Sequence, residues 1–295
     1  MRFLTLFLAT LTLCTAAPAS VRVVTTLTDL ADLVRQIGGD RVEVDYIVRG
    51  DQNPHFIEVK PSYMMKLKRA DLFVMIGMEL ELWAPQLIDG SRNAQLQVVD
   101  MSTAIAEKLE VPTTRVDRSQ GDVHRFGNPH YWLDPRNVPA MLELLLQALI
   151  RSAPEDEAFF RMNRDRYLEE LQASLARWES LMKPFAGSKI LTFHRSWSYF
   201  ARWLSLMVVD QVEPKPGIPP SPSHTAALID LVRTGTIRGI VVEPFYDLSA
   251  PERIARETGT TIVRLSTSVG GVDEAVDYRS LMEYNVTTLA GVLRQ

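Results

Sequence analysis

An α/β fold of two Rossmann-like lobes, each built on a parallel sheet and joined by one long rigid helix, is what this 295-residue sequence predicts. Three features carry the prediction. Short β-branched runs alternate with stretches of helically spaced apolar residues, the pattern of parallel sheets covered by helices on both faces. That alternation occurs twice, before and after the middle of the chain. Between the two passes, from Glu155 to Pro184, apolar residues follow one unbroken three-four spacing.

Taken in order, Val21 to Thr26 is β-branched and reads as a first strand, and Leu27 to Ile37 as a helix stopped by Gly38-Gly39. Val42 to Val48 is a second strand, which delivers the chain to Asn53-Pro54-His55. After Pro61-Ser62 a helix through Met64, Met65 and Leu67 precedes a strand over Leu72 to Ile76, a turn at Gly77 and a short strand over Leu96 to Val99. Residues 110–128 are polar and irregular, and His124 among them reads as a solvated loop residue. Asn137 begins a helix through Val138, Met141, Leu142 and Leu145. The long helix then carries Phe159, Phe160, Tyr167, Leu171, Leu175, Trp178 and Met182. At 1.5 Å per residue it spans about 40 Å, the length of a rigid connector, although an outer helix of a single larger domain would show the same spacing.

The second pass opens with a strand over Ser188 to Phe193 that ends at His194, followed by an aromatic helix over Ser196 to Leu206 and a strand over Met207 to Val212. Glu213 to Ser223 holds five prolines and reads as extended surface chain. His224 opens the next helix, as a helix-start or surface residue. Gly239 to Val242 is a buried-type strand ending at Glu243, Pro251 to Glu257 a helix, Thr260 to Leu265 a strand and Tyr278 to Leu293 the closing helix. The expected division is a leader over 1–19, an N-terminal lobe over 20–154, a connecting helix over 155–184 and a C-terminal lobe over 185–295.

Composition narrows the function. Met1-Arg2, an apolar run from Phe3 to Leu13 and Ala17-Pro18-Ala19 read as a secretory signal peptide, too short for a bilayer span of about 20 residues. The periplasm is the expected location. The single cysteine, Cys14, falls in that leader behind Leu13, where a lipoprotein signal wants a small residue, so no lipid anchor is expected. Without it, disulfides and thiolate metal sites are excluded. The formal charge of -4, with no basic run, argues against nucleic acid or an anionic membrane as partner, and a monomer is expected.

Asn-Pro-His occurs twice, at Asn53-Pro54-His55 and Asn128-Pro129-His130. Proline fixes its own φ and pushes the residue before it toward extended geometry, so each tripeptide presents an imidazole at a stiff turn. His194 stands at a strand end, and so does Glu243, where parallel sheets bind ligands. Three imidazoles and one carboxylate make a tetrahedral nitrogen and oxygen set suited to Zn²⁺, with Mn²⁺ favouring more oxygen ligands. Such imidazoles must be neutral to bind, so affinity should fall as pH drops toward their pKa.

The chain resembles the solute-binding proteins of bacterial zinc and manganese ABC transporters, a family that includes periplasmic zinc-binding receptors and metal-binding adhesins. The likeness covers essentially the whole chain beyond the leader. It rests on Asn53-Pro54-His55 with Pro61-Ser62, Ala70-Asp71-Leu72 running into Gly77, Asn128-Pro129-His130-Tyr131-Trp132-Leu133-Asp134-Pro135, His194 ahead of Tyr199-Phe200-Ala201, and Tyr278 with Asn285. The resemblance implies two α/β lobes bridged by one long helix, metal in the cleft between them, and delivery of the ion to a membrane permease. By matching positions, His55, His130 and His194 are the implied imidazole ligands. One departure concerns the fourth: where the family carries an aspartate, this chain reads Leu265-Ser266-Thr267-Ser268-Val269. A neutral hydroxyl is a poor zinc ligand, leaving Glu243 first, then Asp247, Asp273 or water. The His-rich loop of many zinc-specific relatives is also missing. A secreted zinc hydrolase would use the same three histidines with an open position, but no His-Glu-x-x-His pair is present.

Overall fold

The computed structural model describes residues 20–113, 124–213, 215 and 217–294; the leader and the segment 114–123 lie outside them. Among the described residues, eight strands form two four-stranded sheets, every pairing within them parallel. The first sheet holds β1 (Val21–Leu27), β2 (Val42–Val48), β3 (Leu72–Met75) and β4 (Gln97–Asp100) in the order β2-β1-β3-β4. The second holds β5 (Lys189–Thr192), β6 (Met207–Gln211), β7 (Ile237–Val242) and β8 (Thr261–Arg264) in the order β6-β5-β7-β8. The two halves therefore repeat one topology. In each, the chain reverses direction of travel across the sheet between its second and third strands, the place where such sheets open a crevice at their carboxyl ends.

Helices cover the sheets: α1 (Thr28–Gly38), α2 (Pro61–Arg69), α3 (Ala84–Ser91) and α4 (Val138–Ser152) in the first half, and α6 (Ser198–Trp203), α7 (Pro222–Gly235), α8 (Ser249–Thr258) and α9 (Tyr278–Leu293) in the second. Between them runs α5 (Glu157–Met182), 26 residues flanked by single 3₁₀ turns. Its buried stripe of Phe160, Asn163, Tyr167, Leu171, Leu175, Trp178 and Met182 packs on α1 and α4 from one half and on α9 from the other, so it is a connector shared by both.

The strands of the second sheet alternate sides as a period of two requires. Leu191, Ile240 and Val242 face a local core under α7 and α8, while Ile190, Val241 and Val263 face α9 and join an apolar cluster continuous with the first half. Polar ties reinforce that junction. Trp132 Nε1 donates to Thr267 O at 2.8 Å, Thr28 Oγ1 to Val269 O at 2.7 Å and the Tyr278 N–H to Asp32 Oδ2 at 2.9 Å.

Most elements lie where the sequence puts them. The helix α3 is not announced by pattern, because Pro85 and Gly90 punctuate it. The aromatic helix is shorter than expected: a 3₁₀ turn over Arg195–Trp197 precedes α6, and Ser205 at φ +55° turns the chain out of it. No helix among the described residues is long and apolar enough to cross a membrane.

Candidate metal centre

The two Asn-Pro-His tripeptides fold alike. Asn53 Oδ1 accepts the His55 N–H at 3.0 Å, and Asn128 Oδ1 accepts the His130 N–H at 2.9 Å. Each asparagine thus closes a small turn around its proline and aims the imidazole two residues on. The first turn is pinned by Trp83, whose Nε1 donates to Pro54 O at 2.9 Å. The second is entered at Gly127, whose φ of +102° is open to glycine, and is tied to the other half by Asn128 Nδ2 donating to Arg195 O at 2.8 Å. His194 follows β5, held by the Phe193 N–H on Val241 O at 2.7 Å.

These three turns bring His55, His130 and His194 together. One ring nitrogen from each lies within 4.8 Å of the others, and all three residues are buried, at 8%, 3% and 4% exposure. His55 Nε2 and His130 Nε2 stand 3.2 Å apart. Two ligands about 2.05 Å from one Zn²⁺ at the tetrahedral angle would be about 3.3 Å apart, a separation this pair could meet. Burial, then the neighbouring imidazoles of His55, His194 and His124, push the His130 pKa well below its ordinary value. Protonation therefore competes for His130 only at a pH lower than for a free imidazole.

Hydrogen bonds behind the rings orient them. His130 Nδ1 lies 2.9 Å from Asn128 Oδ1, and His194 Nδ1 lies 2.6 Å from Glu213 Oε2. A carboxylate or amide oxygen can only accept, so each Nδ1 carries the proton and each Nε2 keeps a lone pair for an ion.

Glu243 is fully buried at the end of β7, beside this cluster and not within it: among the described residues no carboxylate oxygen lies within 4.8 Å of all three imidazole nitrogens. Its Oε1 accepts from Ser196 Oγ at 2.7 Å and Trp197 Nε1 at 3.0 Å, and its Oε2 has no hydrogen-bond partner among the described residues. Burial raises its pKa, opposed by His194. Ser266 spends its hydroxyl on Ser268 O at 2.8 Å and its backbone on Asn285. Asp247 is exposed and accepts the Ser249 N–H at 2.9 Å, and Asp273 is exposed, so neither shares the buried setting of the imidazoles.

His124 corrects a sequence expectation. Instead of being solvated it is 8% exposed, and its ring stacks on that of His55 with centroids 5.2 Å apart and planes 26° from parallel. The next residue anchors it, since the Arg125 N–H donates to Glu79 Oε2 at 2.8 Å. Glu213 was hidden by the proline-rich run it opens. Neither residue carries a sequence signal beyond its type.

The comparisons with known proteins concern the family and the fold. The family model described as "Zinc-uptake complex component A periplasmic" matches residues 23–292. The chain is similar to the manganese-binding lipoprotein MntA of Halalkalibacterium halodurans, 25% identical over 93% of this chain and 89% of that protein. It is also similar to the zinc-binding lipoprotein AdcA of Streptococcus pneumoniae serotype 4, 24% identical over 92% of this chain but 56% of that protein. Both relatives are named lipoproteins, which lends no support to the expectation of an unanchored chain; Cys14 lies outside the described residues. Among solved structures, a crystal structure of ZnuA superposes with a TM-score of 0.79 at 23% identity, covering 93% of this chain and 99% of that one. The fold, with its two parallel sheets and long joining helix, is thus a known one, and with nearly the whole chain matched by the family model, this protein belongs to the family of periplasmic zinc-uptake A components, metal-binding receptors of ABC transporters and not enzymes.

Proposed function

We propose that the protein captures Zn²⁺ in the periplasm, at a site between lobes 20–154 and 185–295, and delivers it to a membrane permease. The observation that carries this is the convergence of three buried imidazoles with two Nε2 atoms 3.2 Å apart. A donor set dominated by imidazole nitrogens suits Zn²⁺ better than Mn²⁺, which takes more oxygen ligands. In this reading His55, His130 and His194 bind the ion directly. Glu243 supplies the fourth contact, its unpartnered Oε2 turning toward the ion once a dication offsets the cost of its burial. The chain works as a monomer, freed of its leader.

The test is a zinc titration against a competing chromogenic chelator, with Mn²⁺ run in parallel. His130→Ala should weaken zinc binding by more than the roughly 10–100-fold typical of losing a residue behind the ligands. Its metal-free circular dichroism should stay that of the unaltered protein. Zinc binding of ordinary strength in that variant would remove the site, and tighter binding of Mn²⁺ than of Zn²⁺ would remove the metal assignment.

A further inference from the structure

The carboxylate behind His194 is placed with more care than a surface residue requires. Beyond the last paired residues of β5 and β6, Thr192 and Gln211, the chain bends, and two more backbone hydrogen bonds hold the two segments together. The Val212 N–H donates to Thr192 O at 2.8 Å and the Glu213 N–H to Phe193 O at 2.9 Å. That extension carries Glu213 alongside the turn bearing His194. Its side chain is 6% exposed, and Oε2 accepts a hydrogen bond from His194 Nδ1 at 2.6 Å. The other oxygen, Oε1, accepts the Gly217 N–H at 2.6 Å. Gly217 has φ +79°, and a Cβ there would stand 3.2 Å from the ring of Phe56, the neighbour of His55.

Both carboxylate oxygens are therefore fixed, one by the imidazole and one by a backbone turn, and the carboxylate cannot swing away without breaking the turn. The supports behind His130 and His194 differ in kind. His130 is held from behind by the neutral amide oxygen of Asn128 at 2.9 Å, whereas His194 is held by a carboxylate at 2.6 Å. A hydrogen bond to an ionised acceptor is shorter and about twice as strong, and it makes the far nitrogen a better donor.

We propose that Glu213 is the positioning residue of the metal centre: it locks His194 in the tautomer with Nδ1 protonated, faces Nε2 at the ion and strengthens that nitrogen as a ligand. The inference rests on the three-histidine reading above. The glutamate does not touch the ion. Its effect passes through the ring, which distinguishes it from Glu243.

The experiment compares the unaltered protein with Glu213→Leu, Glu213→Gln and His130→Ala by chelator competition, and reads the imidazole nitrogens of the zinc-loaded proteins by long-range ¹H–¹⁵N correlation. In the unaltered protein His194 should show a protonated Nδ1 and a metal-bound Nε2. Glu213→Leu should bind zinc roughly 10–100-fold more weakly and lose the fixed Nδ1 proton signal. Glu213→Gln, which still offers an oxygen to Nδ1, should keep the tautomer and fall between the two in affinity. If Glu213→Leu does not fold, Glu213→Gln alone decides, and binding equal to that of the unaltered protein overturns the proposal. Metal found on Nδ1 of His194 overturns it as well. Should His130→Ala bind zinc normally, the site reading itself fails; should that variant fail to bind while both Glu213 variants bind normally, only the role of Glu213 falls.

Discussion

Glu243 is a carboxylate in a place that disfavours charge, and that sets a prediction with two readouts moving apart. Glutamine has the same shape and can still accept from Ser196 and Trp197 through its oxygen. Glu243→Gln removes a buried charge whose Oε2 lacks a hydrogen-bond partner among the described residues, so the metal-free protein should melt no lower than the unaltered one. Zinc affinity should nevertheless drop, by about tenfold or more. A variant that melts lower and binds equally would make Glu243 a structural residue. At this scale the sequence was legible where the backbone itself sets an imidazole at a turn or a strand end. Proline-stiffened tripeptides marked His55 and His130, and a strand end marked His194. His124 and Glu213 were not legible, because their burial comes from partners distant in sequence, Glu79 acting through Arg125 and the β5–β6 extension, and no local pattern encodes such contacts.

Among the elements, α1 meets the loop after β8 through Asp29, which is fully buried and accepts from the Val269 N–H at 3.3 Å. Loss of hydration raises its pKa to about 7 from an ordinary 3.8. Below about 4 the carboxyl is protonated whether folded or not. Between about 4 and 7 the folded chain holds a proton the unfolded chain has released, so stability falls as pH rises through that window and levels off above it. Asp29→Asn keeps the acceptor and cannot titrate. In thermal melts from pH 4 to 8 it should lack this component of the decline, and an unchanged pH profile would show that Asp29 is ionised throughout. A second element-scale contact is Gly50, in the turn after β2. A Cβ there would sit 2.1 Å from Val269 O and 2.5 Å from Gly271 N, both backbone atoms with little room to yield. Gly50→Ala should destabilise by about 1–3 kcal/mol in denaturant melts, and a neutral result would show that the two loops separate easily. Element positions were largely readable, α1 and α5 from apolar spacing and the eight described strands from short β-branched, mostly buried runs. The exceptions are local: α3 is broken in pattern by Pro85 and Gly90, and α6 is cut short by a left-handed Ser205.

At the scale of the molecule, the repeated topology and the long helix were legible from sequence, but the joining of the halves was not. Which face of α9 meets α5, and that Ile190, Val241 and Val263 look toward the first half, follow from packing and not from period. That shared interior limits what an arriving ion can do to the overall shape. Prising the halves apart would wet apolar area at about 25 cal/mol per Å² and break the links from Trp132, Thr28 and Tyr278. Small-angle scattering should accordingly give the same radius of gyration with and without zinc, and a clear contraction on loading would contradict it. Such a molecule acts as a rigid socket. On the proposed reading, an ion would reach the three buried imidazoles only by local turning of side chains, and a partner extracting it would have no hinge travel to help.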